Sequence, residues 1–377
     1  MFRRSILLPL LLASMMAMSA CNAPASTPQP TAGAAAQPTA AQATAAPAAQ
    51  PTTAAADSGT ASMADQGACT AEAANKPMPT GNLRLVIGTG GTGGVFYPYG
   101  GGIAKVITEK MGNAEATAEV TGGSVDNMKL IQAKEADIGL STVDSAYDAI
   151  KGEGSYKETG AVPACSLAVL YPSFLHVVAR EDSGIKTIAD MKGKQVSVGS
   201  AGSSTEDAAD RLLEAAGLNP ETDIKRDNLS VAESTAAMKD GKVDAFFWIG
   251  GLPTAAVTDL VSTGQPKIVF LPTGDFVKAM TDKYGPVYSN FALPAGTYSG
   301  FEQDIPGIGI NNIMFVNAEM PEELAYKIVK TLFDNLDDVK QIHPEAKKLS
   351  LDKAIQGSSI PFHPGAIRFF KEQGVWK

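Results

Sequence analysis

The sequence predicts an α/β fold of mostly parallel strands, with a ligand cleft shared by two lobes. From residue 82 to residue 377, short apolar runs of strand character alternate with amphipathic helical runs, the pattern of parallel β-α units. Three polar, glycine-rich turns stand where strands should hand over to helices, two early and one in the middle. Ligands of open α/β sheets bind at such carboxyl ends of strands. This stretch is also longer than one hydrophobic core comfortably fills, so two lobes are expected.

Strands are predicted at 83–87, 116–120, 138–141, 166–171, 175–179, 195–198, 245–248, 267–271 and 311–316. Helices are predicted at 99–110, 125–134, 143–150, 205–216, 232–240, 253–262, 276–283 and 322–336. The last opens on Pro321 and two glutamates, suited to a helix start, and repeats Leu324, Ile328, Leu332 and Leu336 at four-residue spacing. The first glycine-rich turn places five glycines between Gly88 and Gly94, just ahead of a helical run. Glycines there let the backbone approach a ligand, and the helix N-terminus behind them favours an anion. The second turn is Thr121-Gly122-Gly123-Ser124 and the third runs from Gly199 to Glu206.

The N-terminal part is of another kind. Arg3 and Arg4 precede an apolar run from Ile6 to Met18, followed by Ser19-Ala20-Cys21. This reads as a secretory signal over 1–20, too short for a membrane span, with a lipobox-like end that would make Cys21 the acylated first residue. Residues 21–81 are dominated by Ala, Pro, Thr, Gln and Ser. Such a segment buries too little apolar surface to offset its ordering entropy, so a disordered, lipid-anchored tether is expected. The protein would then be extracytoplasmic, held to the membrane through its anchor. The formal net charge of −9 argues against nucleic acid as a partner, and any bound anion must be held by local geometry. Cys69 and Cys165 remain. In an oxidising compartment a disulfide between them would pin the tether to the folded part, and two unpaired thiols fit the sequence equally.

Six segments in this order, 88–102, 121–127, 136–144, 198–206, 246–256 and 360–374, carry a resemblance that spans nearly all of 82–377. They read GTGGTGGVFYPYGGG, TGGSVDN, ADIGLSTVD, VGSAGSSTE, FFWIGGLPTAA and IPFHPGAIRFFKEQG. The chain resembles the TAXI family of solute-binding proteins that serve tripartite ATP-independent (TRAP) transporters. It departs from the family pattern at Phe96, Tyr99 and Ser204. The resemblance implies a two-lobed periplasmic-binding-protein fold, type II-like. Lobe one would hold 82–175 plus 295–377 and lobe two 176–294, with 173–180 as the first crossing. It further implies a monomer without cofactor or metal that captures a small carboxylate, such as glutamate, glutamine or 2-oxoglutarate, for TRAP membrane subunits.

Thr92, Gly93 and Gly94 are expected to give backbone N–H groups to that carboxylate. Gly123, Ser124 and Asn127 stand at the second helix start, where ligand contact and N-capping both fit. Ser141, Thr142 and Asp144 follow a buried strand, and Asp144 suits either a ligand group or the next helix cap. Ser203, Ser204 and Thr205 would reach in from the opposite lobe. Phe96 and Tyr97 would line the cleft or pack beneath the first helix. Trp248 and Gly251 would close over the ligand or serve as hinge and core.

The histidines give no catalytic case. His176 reads as a core residue, His343 as exposed, and His363 as a dock for the last helix. A dinucleotide enzyme is the first rival: Gly88, Gly90 and Gly93 satisfy G-x-G-x-x-G, and Glu119 sits roughly where a ribose-binding acid would. That motif is weak among glycine-rich loops, and no general acid or base accompanies it. A surface sensor that closes on the same ligand to signal is the second rival.

Overall fold

The structure, a computed structural model, describes residues 67–376. The signal-like segment, Cys21 and most of the expected tether lie outside the described residues. The chain runs β1 (Leu83–Gly88), α1 (Phe96–Lys110), β2 (Ala114–Glu119), α2 (Ser124–Ala133), β3 (Ile138–Thr142), α3 (Val143–Lys151) and β4 (Ala164–Arg180). A middle block follows: β5 (Gln195–Ser197), α4 (Ser204–Ala215), β6 (Lys225–Asp227), α5 (Val231–Lys239), β7 (Ala245–Gly250), α6 (Ala255–Ser262), β8 (Ile268–Phe270), α7 (Val277–Tyr284) and β9 (Ser289–Leu293). The return is β10 (Ile305–Asn317), then α8 (Glu322–Asp334), α9 (Leu336–Lys340), α10 (Leu351–Ala354) and α11 (Pro364–Glu372).

The strands form one sheet in the order β2-β1-β3-β10-β4-β7-β5-β6, with β8 pairing on β4 and β9 on β10. β1 pairs in parallel with β2 and β3, and β5 in parallel with β6 and β7. Two parallel units thus lie at opposite ends, each covered by its own helices. The long antiparallel pair β4 and β10 joins them. β4 pairs with β10 from Ala164 to Phe174 and with β7 from Phe174 to Ala179. The fold is therefore α/β and two-lobed, with the chain passing between lobes near Pro172. The sheet is mixed, not mostly parallel as the sequence predicts, because β4 and β10 pair antiparallel with every neighbouring strand.

The run 164–180 reads as two strands in sequence because Pro172 and Ser173 interrupt it. In the structure it is one strand of 17 residues. Proline lacks the N–H a central ladder needs, and it is tolerated where the ladder is already irregular. The β10 register shifts between Asn311 and Ile313, opposite Pro172. Nearly every residue of β4 is buried, as is all of β3. Burial on both faces explains why these strands are continuous apolar runs rather than alternating ones.

α8 buries Leu324, Ile328 and Leu332, and its Phe333 ring lies 5.5 Å from Phe369 of α11. Leu336, expected to continue that helix, starts α9, because Asn335 leaves helical geometry at φ −115°. His363 caps α11: its Nδ1 accepts the Gly365 N–H at 3.2 Å, and its Nε2 donates to the Met320 carbonyl at 3.0 Å. Burial brings its pKa down to about 4, so it stays neutral and holds one tautomer. His343 is half-buried rather than exposed, with Nδ1 accepting the Glu345 N–H. At the N-terminal edge, Cys69 and Cys165 are joined by a disulfide packed against Ala318. Among the described residues no helix is long and apolar enough to cross a membrane.

Candidate functional site

Five helices begin at one place. Their N-cap residues, Val95 (α1), Gly123 (α2), Thr142 (α3), Ser203 (α4) and Ser230 (α5), all line a cavity of about 40 Å³. That volume is on the order of a few waters. The first three helices come from lobe one and the other two from lobe two, so the cavity lies between lobes. Its remaining wall comes from the crossing strand, through Tyr171 and Ser173, and from the end of β7, through Trp248, Ile249 and Gly250.

The local reasons are those of strand-to-helix turns. Each strand ends, and the next helix opens with amide groups that have no acceptor within the helix. Ser203 accepts the Glu206 N–H at 3.3 Å and donates to the Ser200 carbonyl at 2.7 Å. Ser230 and Glu233 form a reciprocal capping box. Gly123, at φ +131°, holds a backbone conformation that side chains resist. The Ser124 hydroxyl accepts the Thr142 N–H at 3.1 Å and donates across the cleft to Ser204 at 3.2 Å. Thr205 accepts the Ile249 N–H at 3.1 Å, tying α4 to β7.

No Lys, Arg, His, Asp or Glu side chain lines the cavity. Tyr171 is its one phenol, and burial pushes that group well above its usual range, so it remains neutral. The cavity's field therefore comes from the helix N-termini. Each is worth roughly 0.3–1 kcal/mol toward an anion when exposed and up to about 2 when partly buried. Several converging ends favour a small negative group without any salt bridge.

The lobes meet closely around this space. A Cβ at Gly94 would come within 2.8 Å of the Trp248 ring, and one at Gly93 within 3.0 Å of Ala232. A Cβ at Gly122 would overlap the Ala201 carbonyl. The Asp126 N–H donates to the Gly202 carbonyl at 3.1 Å across the same seam. Trp248 is fixed by donation from Nε1 to Thr254 at 2.9 Å. Behind it, His176 Nδ1 faces the Trp248 and Phe174 carbonyls while Nε2 accepts from Tyr298. Burial lowers that imidazole to a pKa of about 4, consistent with a core histidine.

Of the residues singled out in sequence, Gly94, Phe96, Gly123, Ser124, Thr142, Ser203, Ser204, Thr205 and Trp248 line the cavity. Gly93 sits in the seam beside it. Thr92 and Tyr97 point to solvent. Asn127 is buried, its amide donating to the Thr89 and Leu140 carbonyls at 2.7 Å each, which braces the turn from behind. The Ser141 hydroxyl is taken by the Thr142 carbonyl. Asp144 faces Tyr288, away from the cavity. Gly251 backs onto Tyr171 and Glu345. Sequence reasoning passed over Tyr171, Ser173 and Ser230. The first two were signalled by polar groups interrupting an apolar run, and Ser230 by its Ser-x-x-Glu capping box.

Among solved structures, the chain is similar to the periplasmic aliphatic sulphonate binding protein SsuA from Escherichia coli. The identity is 16% over 77% of this chain and 83% of that one, at a TM-score of 0.41. It is similar to the periplasmic binding protein BugD at 16% identity, covering 79% and 95%, with a TM-score of 0.47. A binding protein component of an ABC phosphonate transporter from Pseudomonas aeruginosa matches at 14% identity over 70% and 79%, with a TM-score of 0.46. Residues 87–374 match the model of the NMT1-like family, and the chain belongs to that family.

Proposed function

We propose that this protein is an extracytoplasmic, non-enzymatic solute receptor that closes two lobes on a small carboxylate and delivers it to a TRAP-type secondary transporter. The observation that carries the reading is the convergence of five helix N-termini on an interlobe cavity free of charged side chains. A carboxylate of the glutamate, glutamine or 2-oxoglutarate kind would place one oxyanion among those ends, with Ser124, Ser204 and Thr205 adding hydroxyls. Phe96 and Trp248 would cover its carbon chain. The lobes are taken as 82–175 with 295–377, and 176–294. Cys21 is taken as the lipid-bearing residue, with the tether spacing the receptor from the membrane. No paired acid and base face the cavity, which supports capture rather than chemistry.

The test is a thermal-shift panel on protein unfolded and refolded to strip any carried-over solute. It holds glutamate, glutamine, 2-oxoglutarate, C4-dicarboxylates, aliphatic monocarboxylates, sugar acids and, as controls, the neutral amides of the monocarboxylates. A solute at 100 times its Kd adds roughly 2.7 kcal/mol of stability. A response to an acid and none to its neutral amide is expected. Equal responses to both, or silence across all the acids, would overturn the carboxylate assignment. With the responding acid, Ser204→Ala is expected to weaken binding about fivefold, the value of one hydrogen bond of roughly 1 kcal/mol. Unchanged affinity by calorimetry would remove Ser204 from the site.

A further inference from the structure

A second set of contacts crosses between the lobes away from the cavity. Arg211 on α4 pairs through Nη2 with Asp148 on α3, and its Nη1 donates to the Tyr288 hydroxyl at 2.8 Å. Tyr288 in turn donates to Asp144, one turn before Asp148 on α3, at 3.2 Å. The Ser155 hydroxyl of lobe one donates to Asp207 of α4 at 2.7 Å. Arg211, Asp148, Asp144 and Tyr288 are all buried, and none lines the solute cavity.

The two halves of this network are built separately. Arg211 stacks over the Tyr284 ring, 4.6 Å from its centroid, and bonds Tyr288. Both tyrosines belong to the middle block, so lobe two alone holds the guanidinium in place. Asp144 and Asp148 are presented by α3 of lobe one, beside the Ser145–Tyr156 hydrogen bond of 2.6 Å within that lobe. Within this network, the bonds from Arg211 to Asp148 and from Tyr288 to Asp144 are therefore the ones that join the two halves, and opening would break them along with Ser155–Asp207. A charge pair formed from two presented halves returns each half to water on opening, so its net worth is small and tunable. Removing one partner is different, because closure would then bury an unpaired charge.

We propose that Arg211, with Asp148, Asp144 and Tyr288, is a latch that sets how much of the unliganded protein rests closed. These are positioning residues that do not touch solute. The inference rests on the solute-receptor reading only for its consequence, namely that latch strength scales affinity. Asp144, which the sequence offered as a ligand residue or as a helix cap, contributes here to the contact between the lobes.

The test needs no solute, so its failure is separable from failure of the receptor reading. Spin labels carried by unnatural amino acids replace exposed Ala133 in lobe one and Glu221 in lobe two, in the full chain. Interlobe distances are measured by pulsed electron resonance. Arg211→Met is expected to lower the closed-to-open ratio at least threefold, with Tyr288→Phe moving it in the same direction by less. If Arg211→Met does not fold, Asp148→Asn and Tyr288→Phe carry the same expectation. A distance distribution unchanged in these variants, even with a lower melting temperature, would overturn the latch and leave only a packing role.

Discussion

Gly122→Ala is expected to weaken solute binding on the order of a hundredfold while leaving the melting temperature of the unliganded protein within a few degrees of normal. The added methyl would overlap the Ala201 carbonyl, which belongs to the opposite lobe, and would also push aside the Asp126 carboxylate of its own lobe. Overpacking in a well-packed interior costs roughly 1–3 kcal/mol. The upper end applies here, because the obstacle is a backbone carbonyl flanked by the helix start at Ser204 and cannot rotate away. Gly122 has no positive φ, so alanine brings no backbone strain of its own. Gly202→Ala would block the same seam against Asp126, but Gly202 sits at φ +76°, which confounds the result. Titration calorimetry with the acid from the panel, beside a melt of the unliganded variant, separates blocked closure from misfolding. Wild-type affinity in Gly122→Ala would mean that binding does not require this seam to close.

The second large effect is on stability. Cys165→Ser is expected to destabilise the fold by about 2–4 kcal/mol, the typical worth of a disulfide. The bond closes a separation of 96 residues, and long loops gain most in the chain-entropy account. It also holds the stretch around Ala74, whose carbonyl accepts the first amide of α8, from Glu322, at 3.0 Å. Calorimetric melting should fall by several degrees, and reducing agent should bring wild type to the same value. A melt insensitive to both would show that β4 and α8 retain this edge without the bond.

Much of the fold was legible because parallel β-α units write themselves in alternating apolar periods. β1, β3 and β7 are short buried runs, and the helices after them carry clear amphipathic spacing. β6, with the sequence Lys225-Arg226-Asp227, and β9, lying off the main strand order, were not legible. Edge strands bury little, so tertiary pairing rather than composition makes them strands. The glycine-rich turns stood out as strand-to-helix junctions because backbone approach demands glycine there. Which side chains of a turn face inward was harder to read. Asn127 and Ser141 have the chemistry of ligand residues but spend it on neighbouring carbonyls. Tyr171 and Ser173 could be placed only once β4 was known to pass through the cleft.

The position of β10 has a consequence for how the molecule assembles. It lies between β3 and β4, yet it follows both of them by the whole middle block. Until it arrives, those two strands present edges of unpaired N–H and C=O groups, the surfaces on which chains aggregate. The middle block, continuous in sequence, can complete its parallel pairs in the meantime. Lobe one has to wait for the last third of the chain, and such non-local pairing is intrinsically slow. The strand that couples the two lobes is thus also the piece whose insertion completes the first of them.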